Sequence, residues 1–169
     1  MLAMPIIVIF FKENGLTLTQ IMILQSVYSL TVALTEIPSG YFADFFGRKK
    51  SIIISTILSF CGYLIFSNYC SFEAFIIAEI LVALGGSLMS GADSALMYDS
   101  LKKLKKEEKY TQIEGKSYAI GNFSESIAGL IGGLIASVSI VLPVQIHTIV
   151  LFFSIPVSYT HLTLPTNSS

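Results

Sequence analysis

Charge is scarce in this chain: Asp, Glu, Lys and Arg make up 12% of its 169 residues, whereas 53% are hydrophobic. Two stretches of 22 residues, 14–35 and 51–72, carry none of these four residue types. A helix of about 20 such residues spans the hydrocarbon core of a bilayer. The shortage of charge therefore argues against a water-soluble globular domain and predicts membrane-spanning helices.

Residues that build catalytic and metal sites are also scarce. The two cysteines, Cys61 and Cys70, have no His or Cys cluster near them in the sequence, so packing is a better interpretation of them than metal or redox chemistry. We find no Gly-rich phosphate loop with a following Lys and Ser or Thr, and no nucleophile with a plausible base. The sequence therefore predicts neither an enzyme nor a cofactor or metal.

Apolar runs and the breakers between them predict an all-α membrane protein. Strands are disfavoured because open sheet edges cannot be hydrogen-bonded in lipid. The first run, Met1–Phe11, lacks a basic segment typical of a signal peptide and covers about half of a bilayer core, so we interpret it as the second half of a helix. The helices are expected at about 1–11, 17–41, 50–67, 73–98, 117–138 and from about 144.

The basic residues alternate between connections. Nine of the ten Lys and Arg fall in the predicted loops 42–50 and 99–116, which the positive-inside rule places in the cytoplasm. The segment KKLKKEEKY, residues 102–110, would suit anionic lipid or nucleic acid as well. Glu107, Glu108 and Glu114 are interspersed with these lysines, which favours a solvated connecting helix and no nucleic-acid partner.

The C-terminal tail departs from the membrane pattern after Pro156. Residues 157–166, VSYTHLTLPT, interrupt the last apolar run, and they are what a transposase mosaic-end sequencing adapter encodes when it is read as codons. We therefore expect native sequence over residues 1–156, with the last helix incomplete, and a non-native tail over residues 157–169. Any other codon choice in the underlying nucleotide sequence would contradict this expectation.

The segment EIPSGYFADFFGRKK, residues 36–50, concentrates turn residues and charge in one predicted cytoplasmic loop. Gly40 allows close helix approach, Asp44 can cap a helix or pair with Arg48 one turn away, and Gly47 permits a tight reversal. Arg48 offers a planar fork of donors, whereas Lys49 offers a point charge. These residues predict a conformational latch, and the alternative is a topological anchor only.

Read as G-x-x-x-D-x-x-G-R-K, this loop resembles the signature between helices two and three of the major facilitator superfamily of secondary transporters. The flanking EIPSG and KKSIII, and the later SGADSALMYDSLK, resemble bacterial drug-efflux-like members. Phe45 stands where the family usually has a basic residue, and Phe42 replaces an aliphatic one. The resemblance implies a partial six-helix N-terminal bundle in a bacterial inner membrane, a second six-helix half as partner, and a small solute carried by alternating access.

Two carboxylates fall inside the fourth predicted helix, where they are costly and therefore functional candidates. Glu79 and Asp93 are fourteen residues apart, which leaves them about 40° apart on one helix face, with Ser90 on the same face. The resemblance implies that this helix lines a central cavity. The family's helix-four arginine, expected four residues before a glycine, is absent, since Leu81 precedes Gly85 and Val82 precedes Gly86, so Glu79 is a candidate for an alternative proton carrier. Asp93 can instead cap the helix or pair with the lysine-rich loop.

The fifth predicted helix carries small residues at four-residue spacing, which predicts close packing against another helix. They are Ser124, Ala128, Gly129, Gly132 and Gly133. The helix resembles the family's antiporter signature in part, with Ala128–Gly129 in place of a Gly-Pro pair. Ion-coupled efflux of drug-like compounds is the leading prediction. The alternatives are sugar or metabolite uptake by the same fold, or a non-transporting scaffold or decayed gene product, and the intact Asp44 and Arg48 argue against decay.

Overall fold

A computed structural model describes the backbone of residues 6–163 and the side chains of residues 6–158. That part of the chain is all-helical, as predicted. Its helices are α1 (Ile7–Glu13), α2 (Leu18–Phe46), α3 (Arg48–Asn68), α4 (Phe72–Lys103), α5 (Tyr110–Ala136) and α6 (Leu142–Thr163). A 3-10 turn, Glu107–Lys109, precedes α5. Four helices, α2 to α5, are long and apolar enough to cross a membrane.

The two charged connections are much shorter than predicted. Helix α2 continues to Phe46 and α3 begins at Arg48, so the predicted loop 42–50 reduces to Gly47. The predicted loop 99–116 loses residues at both ends, because α4 continues to Lys103 and α5 begins at Tyr110. A helix satisfies its own backbone hydrogen bonds and can continue beyond an apolar span into water. Lysines in the last turn of α4 also favour this extension, because they complement the helix dipole.

Both ends of the chain extend beyond the described residues. The prediction of a partial first helix at 1–11 corresponds to α1, which begins at Ile7, while residues 1–5 are outside the described part. The predicted boundary at residue 156 falls inside α6. Residues 164–169 of the predicted non-native tail lie outside the described residues as well.

Side-chain caps define where two of the long helices begin. The Gln20 backbone N–H donates to Thr17 Oγ1 at 3.3 Å, and the Thr17 backbone N–H donates to Gln20 Oε1 at 2.9 Å, which is a capping box. At the start of α4, the Ala74 N–H donates to the Ser71 hydroxyl at 3.3 Å. These residues satisfy backbone donors that have no partner within the helix.

Helix α4 is the centre of the bundle and packs against both α2 and α3, while α3 also packs against α6. At one end of the bundle, Phe10, Phe11, Phe66 and Phe75 from α1, α3 and α4 form an aromatic core with ring centroids 5.2 to 6.5 Å apart. Helix α5 is largely exposed, and Gly132 is its buried residue. The molecule is therefore tight around α4 and open along α5.

Glycines set the close contact between α3 and α4. A Cβ added at Gly62 would lie 2.5 Å from Val82 Cγ2 and 2.9 Å from the Ala78 carbonyl oxygen. One added at Gly85 would collide with the Ser59 hydroxyl and lie 2.8 Å from the Ser55 carbonyl oxygen. Small residues allow two helix backbones to approach in this way where lipid offers no hydrophobic driving force between helices.

Candidate functional site

Arg48 joins three helices at the end of the bundle opposite the aromatic core. Gly47 ends α2 with a φ of +92°, a conformation that favours glycine, and the chain enters α3 at Arg48. From there the Arg48 guanidinium donates to the Ala95 carbonyl oxygen and pairs with the Asp99 carboxylate, both on α4. Its Nη2 lies 3.5 Å from Asp44 Oδ1 on α2. We call these four residues, Asp44, Arg48, Ala95 and Asp99, the Arg48 node.

The node uses the guanidinium as a planar fork, since separate N–H groups serve a carbonyl and two carboxylates. The Arg48 side chain is 22% exposed, whereas those of Asp44 and Asp99 are 67% and 48% exposed. The two carboxylates of the node are therefore accessible to water, whereas the Arg48 guanidinium is largely covered by protein. The predicted latch residues Asp44, Gly47 and Arg48 are brought together here.

Sequence reasoning missed Asp99, although it is the α4 partner of Arg48. The signal was present in the sequence: Asp99 is the last acidic residue before Lys102 and Lys103, and it lies six residues beyond Asp93. The sequence patterns place Asp99 in a loop, so they do not predict that α4 continues past it to Lys103. A helix that reaches this far can bring a carboxylate back to the start of α3.

The other predicted latch residues lie outside the node. Lys49 is exposed and lines a cavity together with Lys50. Gly40 lies at the α2–α4 contact, but a Cβ there would meet no described heavy atom within 4 Å. The close approach depends instead on Gly91, where a Cβ would lie 3.0 Å from the Ser39 hydroxyl and 3.1 Å from the Gly40 nitrogen. Within the described residues the close approach of α2 and α4 is therefore at Gly91, and the role of Gly40 stays a prediction.

The contact between α2 and α4 also includes a hydrogen bond between side chains. The Thr35 hydroxyl donates to Ser87 Oγ at 2.9 Å. Ala43 and Ala92 are completely buried in the same two helices. Small and hydroxylated side chains thus hold α2 close to α4 up to the Arg48 node, which fixes the helix ends that the node joins.

The predicted carboxylates of α4 lie in different environments. Glu79 is 5% exposed, and it lies within electrostatic reach of Tyr28 on α2 and Tyr63 on α3. Asp93 is exposed and lines a cavity. The single functional face predicted for Glu79, Ser90 and Asp93 is therefore divided, since Ser90 lines the cavity with Asp93 and Glu79 lies in the bundle interior.

The cavity that contains Ser90 and Asp93 lies between α4 and α5 and has a volume of about 930 Å³. Most of its lining residues have polar side chains, three of them carboxylates, although apolar atoms supply the larger part of its surface; Ser124 and Ala128 of the predicted packing stripe also line it. Tyr110 donates to Glu114 Oε1 at 2.6 Å, and Ser94 donates to the same oxygen at 3.5 Å. The cavity therefore combines a mostly apolar surface with a few hydrogen-bonding groups, at the size that small-molecule sites usually have.

The rest of the packing stripe on α5 makes few contacts within the described residues. Gly132 is buried and Gly129 is partly buried, while a Cβ at Gly133 would meet no described heavy atom within 4 Å.

Among the described residues we also find no group of three or more His, Cys, Asp or Glu side chains that could hold a metal ion.

Comparisons with known proteins agree with this architecture. A family model for the Major Facilitator Superfamily matches residues 1–168. The chain is 33% identical over 94 residues to an uncharacterized transporter of Buchnera aphidicola subsp. Schizaphis graminum, which covers 56% of the chain and 23% of that protein. It is also 33% identical over 88 residues to the uncharacterized MFS-type transporter YxaM of Bacillus subtilis, which covers 52% of the chain and 22% of that protein. The chain thus matches less than a quarter of the length of either relative.

Proposed function

The chain belongs to the Major Facilitator Superfamily, and on that basis we propose that it forms the N-terminal half of a transporter that moves a small solute by alternating access. The leading solute class is drug-like compounds, whose export is driven by an ion that moves down its own gradient. Both matched relatives carry names that say only that they are transporters. The class of solute and the direction of transport therefore rest on the resemblance of SGADSALMYDSLK and of the fifth helix to efflux members of the family.

The observation that carries the proposal is the Arg48 node. Alternating access needs helix ends that can be held in one arrangement and released into another. Arg48 ties the ends of α2, α3 and α4 together through charged contacts that remain partly open to water. Such contacts can exchange partners at low cost, because exposed ion pairs are individually weak. We place this end of the bundle in the cytoplasm, in accordance with the positive-inside rule.

Two further features support ion-coupled transport. The cavity between α4 and α5 offers hydroxyls and carboxylates to a solute. Glu79 supplies a carboxylate in the interior of the bundle, within electrostatic reach of tyrosines on two neighbouring helices. Carboxylates inside membrane proteins commonly serve as proton relays, so we assign Glu79 to coupling and the cavity residues Ser90 and Asp93 to the solute pathway.

The test expresses the complete gene, including the second half of the transporter, in a bacterial host that lacks its own efflux pumps. Resistance to a panel of drug-like compounds and their flux in proteoliposomes are measured for the wild type, Asp99→Asn and the control Glu108→Gln. We expect Asp99→Asn to lower flux about threefold, because a partly exposed charge-assisted contact of roughly 0.7 kcal/mol is lost. The exposed Glu108 should be replaceable without effect.

Wild-type flux in Asp99→Asn would contradict the role of the node as a latch. Uptake of sugars or metabolites, with no resistance to any compound, would replace efflux by the alternative function of the same fold. A complete, folded protein that moves no solute of either class would favour the scaffold interpretation.

A further inference from the structure

His147 on α6 is a buried titratable residue to which the proposed function gives no role. Its side chain is 8% exposed, and its Nε2 atom is buried and forms no hydrogen bond with any described residue. Buried polar atoms are nearly always paired, so an unpaired one requires an explanation. Histidine is also the side chain that gains and loses a proton near neutral pH. The Nε2 atom is therefore available to bind a proton in the interior of the bundle.

The contact between α3 and α6 fixes the position of the His147 ring. The imidazole lies against the Tyr63 ring, with centroids 4.3 Å apart and planes at 67°. At the next position of α6, Thr148 Oγ1 lies 2.9 Å from Ser67 Oγ and 3.2 Å from the Tyr63 carbonyl oxygen. These side chains hold α6 against α3, so the surroundings of His147 are formed by the described residues themselves.

Tyr63 also connects this contact with the proposed coupling residue. It is 3% exposed, and the Glu79 carboxylate on α4 lies within electrostatic reach of its hydroxyl. Tyr28 on α2 and Glu125 on α5 act on the same hydroxyl more weakly. The other charged groups at this end of the described bundle are exposed, namely Lys12, Glu13 and Glu73. Tyr63 is therefore the common neighbour of two buried titratable groups, His147 and Glu79.

The cluster lies at the end of the bundle opposite the Arg48 node, which is the outer side in the orientation proposed above. Tyr63 is about 22 Å along α3 from Arg48 at 1.5 Å per residue, and it meets Phe66 of the aromatic core at 5.8 Å. Helix α6 begins at Leu142, so His147 is about 8 Å from that helix end. A proton from the outer water therefore has a short distance to travel to His147.

From this arrangement we propose that His147 binds the proton that enters from the outer side and passes it to Glu79 by way of the Tyr63 hydroxyl. Neutral His147 takes the proton from water and becomes an imidazolium. It returns to the neutral form when the Tyr63 hydroxyl, with intervening water, accepts one proton and releases its own to the Glu79 carboxylate, which becomes a carboxylic acid. Asp, Glu and His side chains form such relays in membrane transporters. The inference rests on the ion-coupled transport proposed above, and it makes the proton the coupling ion.

The test uses the complete transporter in proteoliposomes that contain the pH indicator pyranine, with the compound that gives the highest wild-type flux. Two quantities are measured: solute flux driven by a pH gradient, and solute exchange at equal pH, which needs no net proton movement. His147→Gln and Tyr63→Phe should lose gradient-driven flux and the accompanying proton movement, while exchange continues. The control Thr148→Val removes a neighbouring hydroxyl but no titratable group, so it should change both quantities by the same factor.

The outcomes separate this inference from the proposed function. A gradient-driven flux that stays at the wild-type level in His147→Gln or in Tyr63→Phe overturns the relay, while ion-coupled transport still holds. Loss of flux and exchange by the same factor in both variants also overturns it, because the cluster would then only support packing between α3 and α6. Wild-type exchange that no pH gradient affects would contradict proton coupling itself, and the relay with it.

Discussion

Arg48 connects three helices at the charged end of the described structure. Its guanidinium reaches one carbonyl and two carboxylates on two other helices, a set of acceptors that needs several N–H groups in one plane. A lysine at the same position would keep the charge but offer a single nitrogen. The geometry of the side chain, and not its charge alone, therefore holds the three helix ends.

Arg48→Lys should consequently destabilise the bundle while preserving its charge. We expect a loss of about 1 kcal/mol, at the lower end of values for charged hydrogen bonds because Asp44 and Asp99 are partly exposed. Thermal unfolding in detergent micelles would register this as a lower Tm. Lys106→Arg, the reverse exchange at an exposed position, is the control. An unchanged Tm in Arg48→Lys would mean that the fork geometry contributes nothing.

Glu79 allows a separate prediction about coupling. Glu79→Gln keeps the shape of the side chain but cannot bind or release a proton, so transport by the complete protein should lose its dependence on a pH gradient. The measurement is solute flux in proteoliposomes with and without an imposed gradient. Glu73→Gln, at an exposed position of the same helix, should retain the dependence. Retention of a wild-type pH dependence in Glu79→Gln would remove Glu79 from the coupling scheme.

At the level of helices, sequence patterns predicted the six helices of the described residues but not how far each continues. Hydropathy detects where the chain leaves the apolar core, and it places the end of α2 near residue 41. The helix continues to Phe46 because backbone hydrogen bonding does not stop at the lipid boundary. The sequence already predicted that Asp44 can pair with Arg48, whereas the Asp99 contact follows from the extension of α4 to Lys103, which composition does not reveal.

The spacing of small residues also predicts helix packing only in part. The spacing on α5 predicted close packing, yet the tight contacts in the described residues lie between α3 and α4 and between α2 and α4, at Gly62, Gly85 and Gly91. A small-residue pattern shows that a helix can approach another one closely. It does not show which face has a neighbour, because that depends on the arrangement of the whole bundle.

Gly62→Ala should therefore be destabilising, whereas Gly133→Ala should not. At Gly62 the new methyl group meets a carbonyl oxygen of the α4 backbone, so α3 and α4 must separate at a cost of about 1–3 kcal/mol. At Gly133 the space is open among the described residues, and alanine gains roughly 0.5–1 kcal/mol of helix stability. Unfolding midpoints of the two variants should move in opposite directions. Equal shifts would show that the α3–α4 contact is not as close as described here.

For the whole molecule, the charged ends of the helices determine an orientation that can be measured. Helix α3 separates Arg48 from Cys70 by about 30 Å at 1.5 Å per residue, so the two residues lie on opposite sides of a membrane. With Cys61→Ala, the exposed Cys70 should react with a membrane-impermeant maleimide in intact cells. In a chain with no other cysteine, Lys106→Cys should react only after the cells are permeabilised, because the positive-inside rule places that connection in the cytoplasm. The opposite labelling pattern would invert the topology and move the Arg48 node to the outer face.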